Sequence, residues 1–316
     1  MSFEIRPATR QGVNPLIVTY AESGCGKTMS ALLLARGLAG PTGKIVVADS
    51  ESRRASLYAD VIPGGFETFE LSAPFTPARY VEAIDAIEGA GAAVGVIDSG
   101  SHEWDGAGSV LDMATQIEER SGKSGLHCWR QPKFEHALFI SRLLRTKIPM
   151  IVCLRAKYKS RQGKNAQGKT EIVKDDHTSP IQAEDFIFEA TAHFELLPDH
   201  SIHLTKCSHP TLRDCFPAKG PITIEHGQAL ARWCAMAGSP PPPAAASQSA
   251  DLKALKKKLW ALIGTATGAT PTVTSAETWL RRHKIFGEAD KLETADATQL
   301  QLAIEKTEIT IQDMTP

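Results

Sequence analysis

The sequence predicts an α/β fold with a mainly parallel central sheet, joined to a small C-terminal helical module. Three observations predict it. A Gly-rich loop at residues 21–28 sits between an apolar strand and a helix. Further apolar strands, two of them closing on Asp49 and Asp98, alternate with helical stretches. Beyond a Pro-rich run near residue 240, the periodicity is helical only.

Residues 21–28 read AESGCGKT. The apolar run before them, residues 15–20, reads as a short buried strand, and residues 29–38 read as a helix. Strand, Gly-rich loop, Gly-Lys-Thr and helix make a phosphate-binding loop. Gly24 and Gly26 admit backbone conformations that a side chain would block, so amides can face an anion. The helix start adds its partial positive charge. Lys27 reaches the β- and γ-phosphates, and the Thr28 hydroxyl can ligate Mg²⁺. Ala21 stands where Gly is usual and is small enough to fit. The phosphate-contacting stretch is Ala21, Glu22, Ser23, Gly24, Cys25, Gly26, Lys27, Thr28 and Met29.

The chain has 316 residues, enough for one large α/β domain and a small module. Its net charge of −1 argues against a strongly basic nucleic-acid coat but allows a local basic patch. No run reaches the roughly 18 apolar residues of a membrane span. The first ten residues, MSFEIRPATR, hold no signal-peptide core. A cytoplasmic protein with no membrane partner is the expectation. Six cysteines, none in a CxxC, point to reduced thiols. Cys207, His209 and Cys215, with His203 nearby, raise the idea of zinc, but their spacing fits no common zinc pattern.

Residues 1–14 read as an edge strand and a loop. After the phosphate loop and its helix, glycines lead to a second strand, residues 44–48, which ends in Asp49-Ser50-Glu51. A carboxylate there can orient and deprotonate an attacking water. Equally, Asp49 and Glu51 can cap the helix that follows at residues 53–61. A third strand spans residues 66–71, and residues 76–89 form an amphipathic helix capped by Thr76. The strand at residues 92–97 closes on Asp98-Ser99, where an Asp after a phosphate loop holds Mg²⁺. Residues 100–108 read as a polar, Gly-rich loop in which His102 and Glu103 either shape the loop or touch a bound nucleotide.

Residues 109–120 are helical, and residues 121–133 break that helix. The break offers Lys123, Trp129, Arg130 and Lys133, a basic and aromatic mixture suited to single-stranded nucleic acid. The alternative is a surface connection with Trp129 tucked into the core. A helix at residues 134–145 and a buried strand at residues 149–154 follow. Residues 157–176 lack a core pattern and carry Lys157, Lys159, Arg161, Lys164, Lys169 and Lys174. They read as a mobile loop with phosphodiester contacts or as a solvated β-hairpin. Residues 186–197 and 201–206 read as antiparallel strands, and residues 222–237 as a strand and a helix. Residues 239–250, SPPPPAAASQSA, form a linker by composition. Three helices, at residues 251–263, 275–283 and 298–306, complete the module; its lysine run is a solvated face or a DNA or partner contact.

Taken in order, these motifs resemble the RecA-type recombinases over residues 12–237. Residues 46–61, VVADSESRRASLYADV, are similar to the recombinase segment after the phosphate loop: a strand ending in Asp-x-Glu, then a Tyr seven residues beyond that Glu. GVIDS at residues 95–99, the strand at 150–154 and the basic stretch after it keep the same order. IDSGSHEWDGAG at residues 97–108 and LRAK at 154–157 look like phage RecA-like single-strand annealing proteins.

The resemblance implies a RecA-like P-loop ATPase core at residues 1–238, using ATP and Mg²⁺. It implies that Glu51 activates water, Tyr58 stacks on adenine, and Asp98 sits on the Mg²⁺ side with Thr28. The stretches at residues 121–133 and 157–176 would match the two recombinase DNA loops. Lys206 falls where recombinases present lysines to a neighbouring subunit's γ-phosphate, with Ser208 in place of a second lysine. The recombinase Gln sensor has no evident counterpart; Cys153 or Arg155 stands nearby.

The expected function is ATP-dependent single-stranded DNA binding for phage recombination, by annealing or strand exchange, in the bacterial cytoplasm. The expected assembly is a homo-oligomer, filament or ring. Two alternatives stand beside it. One is a helicase- or loader-type motor ATPase. The other is a nucleotide-gated scaffold whose C-terminal module recruits a single-strand binding protein or nuclease.

Overall fold

The computed structural model describes residues 13–164, 170–235, 244–287, 291–292 and 295–314. The chain divides into two compact units, Arg10–Ala237 and Gly238–Pro316.

In the first unit, β1 (Leu16–Ala21) is fully buried and runs into the phosphate loop and α1 (Lys27–Ala39). β2 (Ile45–Asp49) follows, then a 3-10 turn at Arg54–Tyr58 and β3 (Glu67–Glu70). α2 (Pro77–Gly89) begins as expected: the Thr76 side chain accepts from the Arg79 amide. β4 is Val94–Asp98. Residues 100–108 are not a plain loop, because Ser101–Asp105 forms a short helix, α3, ahead of α4 (Val110–Ser121). β1, β2 and β4 read as continuous apolar runs because parallel strands are covered on both faces.

One further expectation is corrected. The break proposed at residues 121–133 shrinks to residues 122–125. Gly122 ends α4 in a left-handed conformation, and α5 (Leu126–Leu144) starts at once. Cys128, Pro132, His136, Phe139 and Leu143 supply its buried face. That spacing is helical, but Pro132 and His136 are not letters that mark an apolar helix face. Of the two readings of residues 157–176, the described residues follow the β-hairpin rather than the loop. β5 (Met150–Lys164) leaves the sheet and pairs antiparallel with β6 (Thr170–Pro180).

The chain then forms α6 (Phe186–Glu189), β7 (Ala192–Leu196) and β8 (Ile202–Cys207). The strand expected from residue 186 therefore starts later, after a helical turn. α7 (Pro210–Arg213) and α8 (Ile224–Ala235) close the unit; residues 222–223 hold no strand. The expected edge strand at residues 1–14 lies almost wholly outside the described residues.

Among the described residues the sheet has eight strands in the order β3-β2-β4-β5-β1-β7-β8, with β6 on β5. Its body is parallel; only β7–β8 and β5–β6 run antiparallel. One strand, β5, separates the phosphate-loop strand from the strand ending in Asp98. This is a mainly parallel α/β sheet with the phosphate loop at the end of one of its inner strands. Alternate strand residues feed two cores. Ile17, Val47, Val96 and Ile151 face α1 and α8, while Val18, Ala48, Ile97 and Val152 face α2 and α5. α1 and α8 touch backbone to backbone. A Cβ on Gly37 would meet the Gly227 Cα at 2.6 Å.

The second unit holds α9 (Ala244–Thr267), α10 (Val273–Arg282) and α11 (Ala297–Met314). The helix starts inside the stretch read as a linker, so residues 244–250 belong to α9. Its core gathers Leu259, Ile263, Trp279, Leu280, Leu300 and Ile304. Among the described residues, no helix is long and apolar enough to cross a membrane.

Candidate active site

Parallel strands of an α/β sheet deliver their carboxyl ends to one edge, where ligands bind. Here β1, β2, β4 and β5 deliver Ala21, Asp49, Asp98 and Arg155. A cleft of about 1510 Å³ opens over them. It is lined by Ala21, Glu22, Ser23, Gly24, Gly26, Lys27, Thr28 and Met29, and by Glu51, Tyr58 and Asp98. Of the expected phosphate-contacting stretch, Cys25 alone is absent from this lining; it is buried in the core.

The loop geometry follows from its glycines. Gly24 and Gly26 hold φ of 90° and 86°, which L side chains rarely adopt. Lys27 Nζ donates to the carbonyls of Ala21 (3.1 Å) and Glu22 (2.8 Å), so it lies along the loop. Thr28 Oγ1 donates to Asp98 Oδ2 at 2.6 Å. Burial pushes Asp98 up to about 6; the Thr28 bond and Lys27 oppose this, and Glu51 and Asp49 add to it.

The acidic pair after β2 divides its two readings. Asp49 is buried and caps: Oδ1 accepts from the Glu51 amide at 2.7 Å and Oδ2 from the Ala55 amide at 2.9 Å. Glu51 instead lines the cleft, 3.8 Å from His102 Nε2. His102, read from sequence as shaping the loop or touching a nucleotide, stands in the cleft and stacks on Phe75 at 4.9 Å. Its Nδ1 lies 2.9 Å from Ser50 Oγ. Ser50 has one hydroxyl proton, which goes to the Ser99 carbonyl at 3.0 Å. Hydrogen-bond counting therefore assigns the imidazole proton to Nδ1. Nε2 is left to accept from Arg155 at 3.3 Å. Burial holds His102 below its usual value, against the pull of Glu51, and keeps the ring neutral.

Arg155 thus occupies the strand end where the sequence offered Cys153 or Arg155. Cys153 is fully buried, and burial raises its thiol well above the ordinary value. Sequence reasoning missed His200 altogether. It sits in the β7–β8 turn at φ 64°, with Nδ1 3.1 Å from the Cys25 carbonyl. Nothing in its local sequence signals that it packs over the phosphate loop.

The remaining expected residues scatter. Lys206 does not reach this cleft: Nζ donates to the carbonyls of Phe188 and Ala190, the latter at 2.8 Å. Lys123, Arg130 and Lys133 are exposed on α5 or just before it. Trp129 is half-buried against Trp104, with ring centroids 6.4 Å apart. Lys157 lines the cleft, and Lys159 pairs with Glu184 at 3.1 Å. Arg161 and Lys164 lie on β5, and Lys169 falls outside the described residues.

No protein-family model matches the chain, and no curated protein matches it. Among solved structures, one similar chain is a prototypical ATPase from the type III secretion system of pathogenic bacteria. It is 13% identical, with a TM-score of 0.36, over 97% of this chain and 89% of that one. A likeness that remote bears on neither activity nor partners.

The donor set suits a nucleoside triphosphate with Mg²⁺. Positive-φ glycines free the loop amides, the start of α1 adds its partial positive charge, and Lys27 and the Thr28–Asp98 pair stand beside it.

Proposed function

We propose that this chain binds ATP and Mg²⁺ at the phosphate loop and hydrolyses the nucleotide. The observation that carries this reading is the Thr28–Asp98 hydrogen bond beneath the loop. Gly24, Gly26, Lys27 and the loop amides hold the phosphates. Thr28 and Asp98 hold Mg²⁺, which offsets phosphate charge when bound. Glu51 orients a water and takes its proton. Asp49 positions Glu51 by accepting its amide hydrogen. His102 holds Arg155 at the cleft, where the guanidinium meets developing negative charge. Tyr58 offers an aromatic face for the base.

Single-stranded DNA recombination of the phage type, by annealing or strand exchange, is the use we assign to this chemistry. β5 supports it: one continuous strand carries Arg155 at the cleft and the exposed Lys157 and Lys159 beyond it. A nucleotide state felt at Arg155 can reach the arm without leaving that strand. The assembly is a homo-oligomer, with Lys206 serving a neighbouring subunit's site.

A second reading draws support from α5. This helix, which begins inside the stretch expected as a DNA loop, exposes Leu126, Phe134 and Leu138 at 88%, 64% and 51%. Apolar side chains suit a protein partner better than a phosphate backbone, as in a nucleotide-gated scaffold. ATP hydrolysis measured with and without single-stranded DNA, at low and moderate salt, separates the two. Salt-sensitive stimulation by single strands alone supports the recombination reading. Hydrolysis indifferent to DNA keeps the ATPase and favours the scaffold.

A further inference from the structure

Away from the cleft, three strands bring two histidines and a buried carboxylate together. Glu195 on β7 and His203 on β8 are cross-strand partners. His177 comes from β6, at a bulge. Tyr158 pairs with Thr178 and Ser160 with Lys174, so β6 spends two more residues than β5 over that step. Bulges re-aim side chains, and this one brings His177 Nδ1 to 2.8 Å from Glu195 Oε2. His203 Nδ1 lies 3.7 Å from the same oxygen. The two imidazoles stack, with centroids 4.3 Å apart.

We propose that His177, Glu195 and His203 hold a divalent cation of the zinc class, with water completing a tetrahedral site. The cation fastens the base of the β5–β6 arm to the edge of the sheet.

Three features support this. The three ligand atoms lie within 4.8 Å of one another. Ligand atoms on tetrahedral zinc are about 3.3 Å apart, given Zn–N and Zn–O near 2.0–2.2 Å. His203 Nδ1 is buried and makes no hydrogen bond among the described residues. A buried polar atom without a partner is costly, and a cation supplies one. Finally, Thr178 occupies the other oxygen, Oε1, through its amide at 2.8 Å and its hydroxyl at 2.7 Å. That fixes Glu195 as a one-oxygen ligand with an outer-shell partner of the kind metal sites use.

The zinc idea raised by the sequence grouped His203 with Cys207, His209 and Cys215. The structure pairs it instead with residues 26 and 8 positions upstream, from other strands.

The test uses the full chain, reduced, in excess Mg²⁺ and without nucleotide. Zn²⁺ alone is titrated against a chromogenic chelator, and Co²⁺ is added separately for its visible spectrum. The expected result is one Zn²⁺ per chain, a four-coordinate Co²⁺ spectrum and a higher melting temperature with Zn²⁺. His177→Ala and His203→Ala should each weaken binding more than about 100-fold, beyond the loss of an outer-shell partner. Both imidazoles are half-exposed, at 53% and 43%, so these variants should fold; a normal circular dichroism spectrum checks it. Absence of stoichiometric Zn²⁺ in the unmodified chain overturns the proposal. So does Zn²⁺ retained by both variants, which would place it on thiols such as Cys207.

Discussion

Thr28 Oγ1 donates to Asp98 Oδ2 at 2.6 Å, across two strands that are not neighbours in the sheet. β5 lies between them, so the bond ties the start of α1 to the end of β4 over the top of a third strand. It fixes a hydroxyl and a carboxylate at one point beside Lys27. In the function proposed above, this pair is what would hold the metal ion beside the phosphates.

Asp98 holds its charge at a cost. It is 2% exposed and lies near Glu51 and Asp49, and its ionisation is pushed up to about 6. At neutral pH that charge destabilises the metal-free fold by up to about 3 kcal/mol. Asp98→Asn keeps an acceptor for Thr28 and removes the charge. Thermal and urea unfolding without Mg²⁺ should show Asp98→Asn more stable by about 1–3 kcal/mol. Mg²⁺-dependent binding of a fluorescent ATP analogue should fall at the same time. A less stable variant would mean that the charge is compensated and the site is structural.

Glu51 and Asp49 leave the same strand but do different work. Asp49 accepts two backbone amides, and Glu51 faces the cleft. Glu51→Gln should therefore keep ATP affinity within about threefold and lower kcat by about 100-fold or more, the range for loss of a general base. Single-turnover hydrolysis and equilibrium binding read the two separately. Unchanged hydrolysis would remove Glu51 from the mechanism.

The strands and the phosphate loop were legible because their physics is local. A parallel strand buried on both faces is a run of apolar letters, and the loop is a fixed spacing of Gly, Lys and Thr. α5 was not legible between residues 126 and 133. Its buried face there is Cys128 and Pro132, and its partner for His136 is Glu103, 2.9 Å away and 33 residues upstream. No local window contains that pair. For residues 157–176 the hairpin was one of two open readings, and the letters could not choose it for a related reason: a two-stranded ribbon is held by its own ladder rather than by an apolar face. His102 and Arg155 were visible as letters, but their bond joins β5 to α3 and is a product of the sheet order.

The contact between α1 and α8 sets a third test. In an isolated helix, Gly37→Ala would gain about 1 kcal/mol of helix propensity. Here its Cβ would strike the Ile224 carbonyl and the backbone of Gly227 and Gln228. Backbone cannot move aside as a side-chain tip can, and overpacking of this kind costs about 1–3 kcal/mol. Urea unfolding should show Gly37→Ala less stable despite the better propensity. Because α1 begins at Lys27, weaker ATP binding should accompany the loss. A stabilised variant would show that the two helices separate freely.

The division near residue 237 makes the last prediction. The second unit has its own core of Leu259, Ile263, Trp279, Leu280, Leu300 and Ile304, drawn from all three of its helices. The first unit draws its two cores from its own strands and helices. Among the described residues each unit's core is drawn from its own side chains, and a cooperative core is what makes a domain fold alone. A chain ending at residue 237 should therefore melt as a single transition and keep ATP hydrolysis within about twofold of the full chain. The measurement is calorimetry of both chains, with hydrolysis assayed alongside. The full chain should show a second transition that truncation removes. If truncation instead lowers the melting temperature of the remaining unit by more than about 5 °C, the two units stabilise one another. The boundary would then be a joint within one domain.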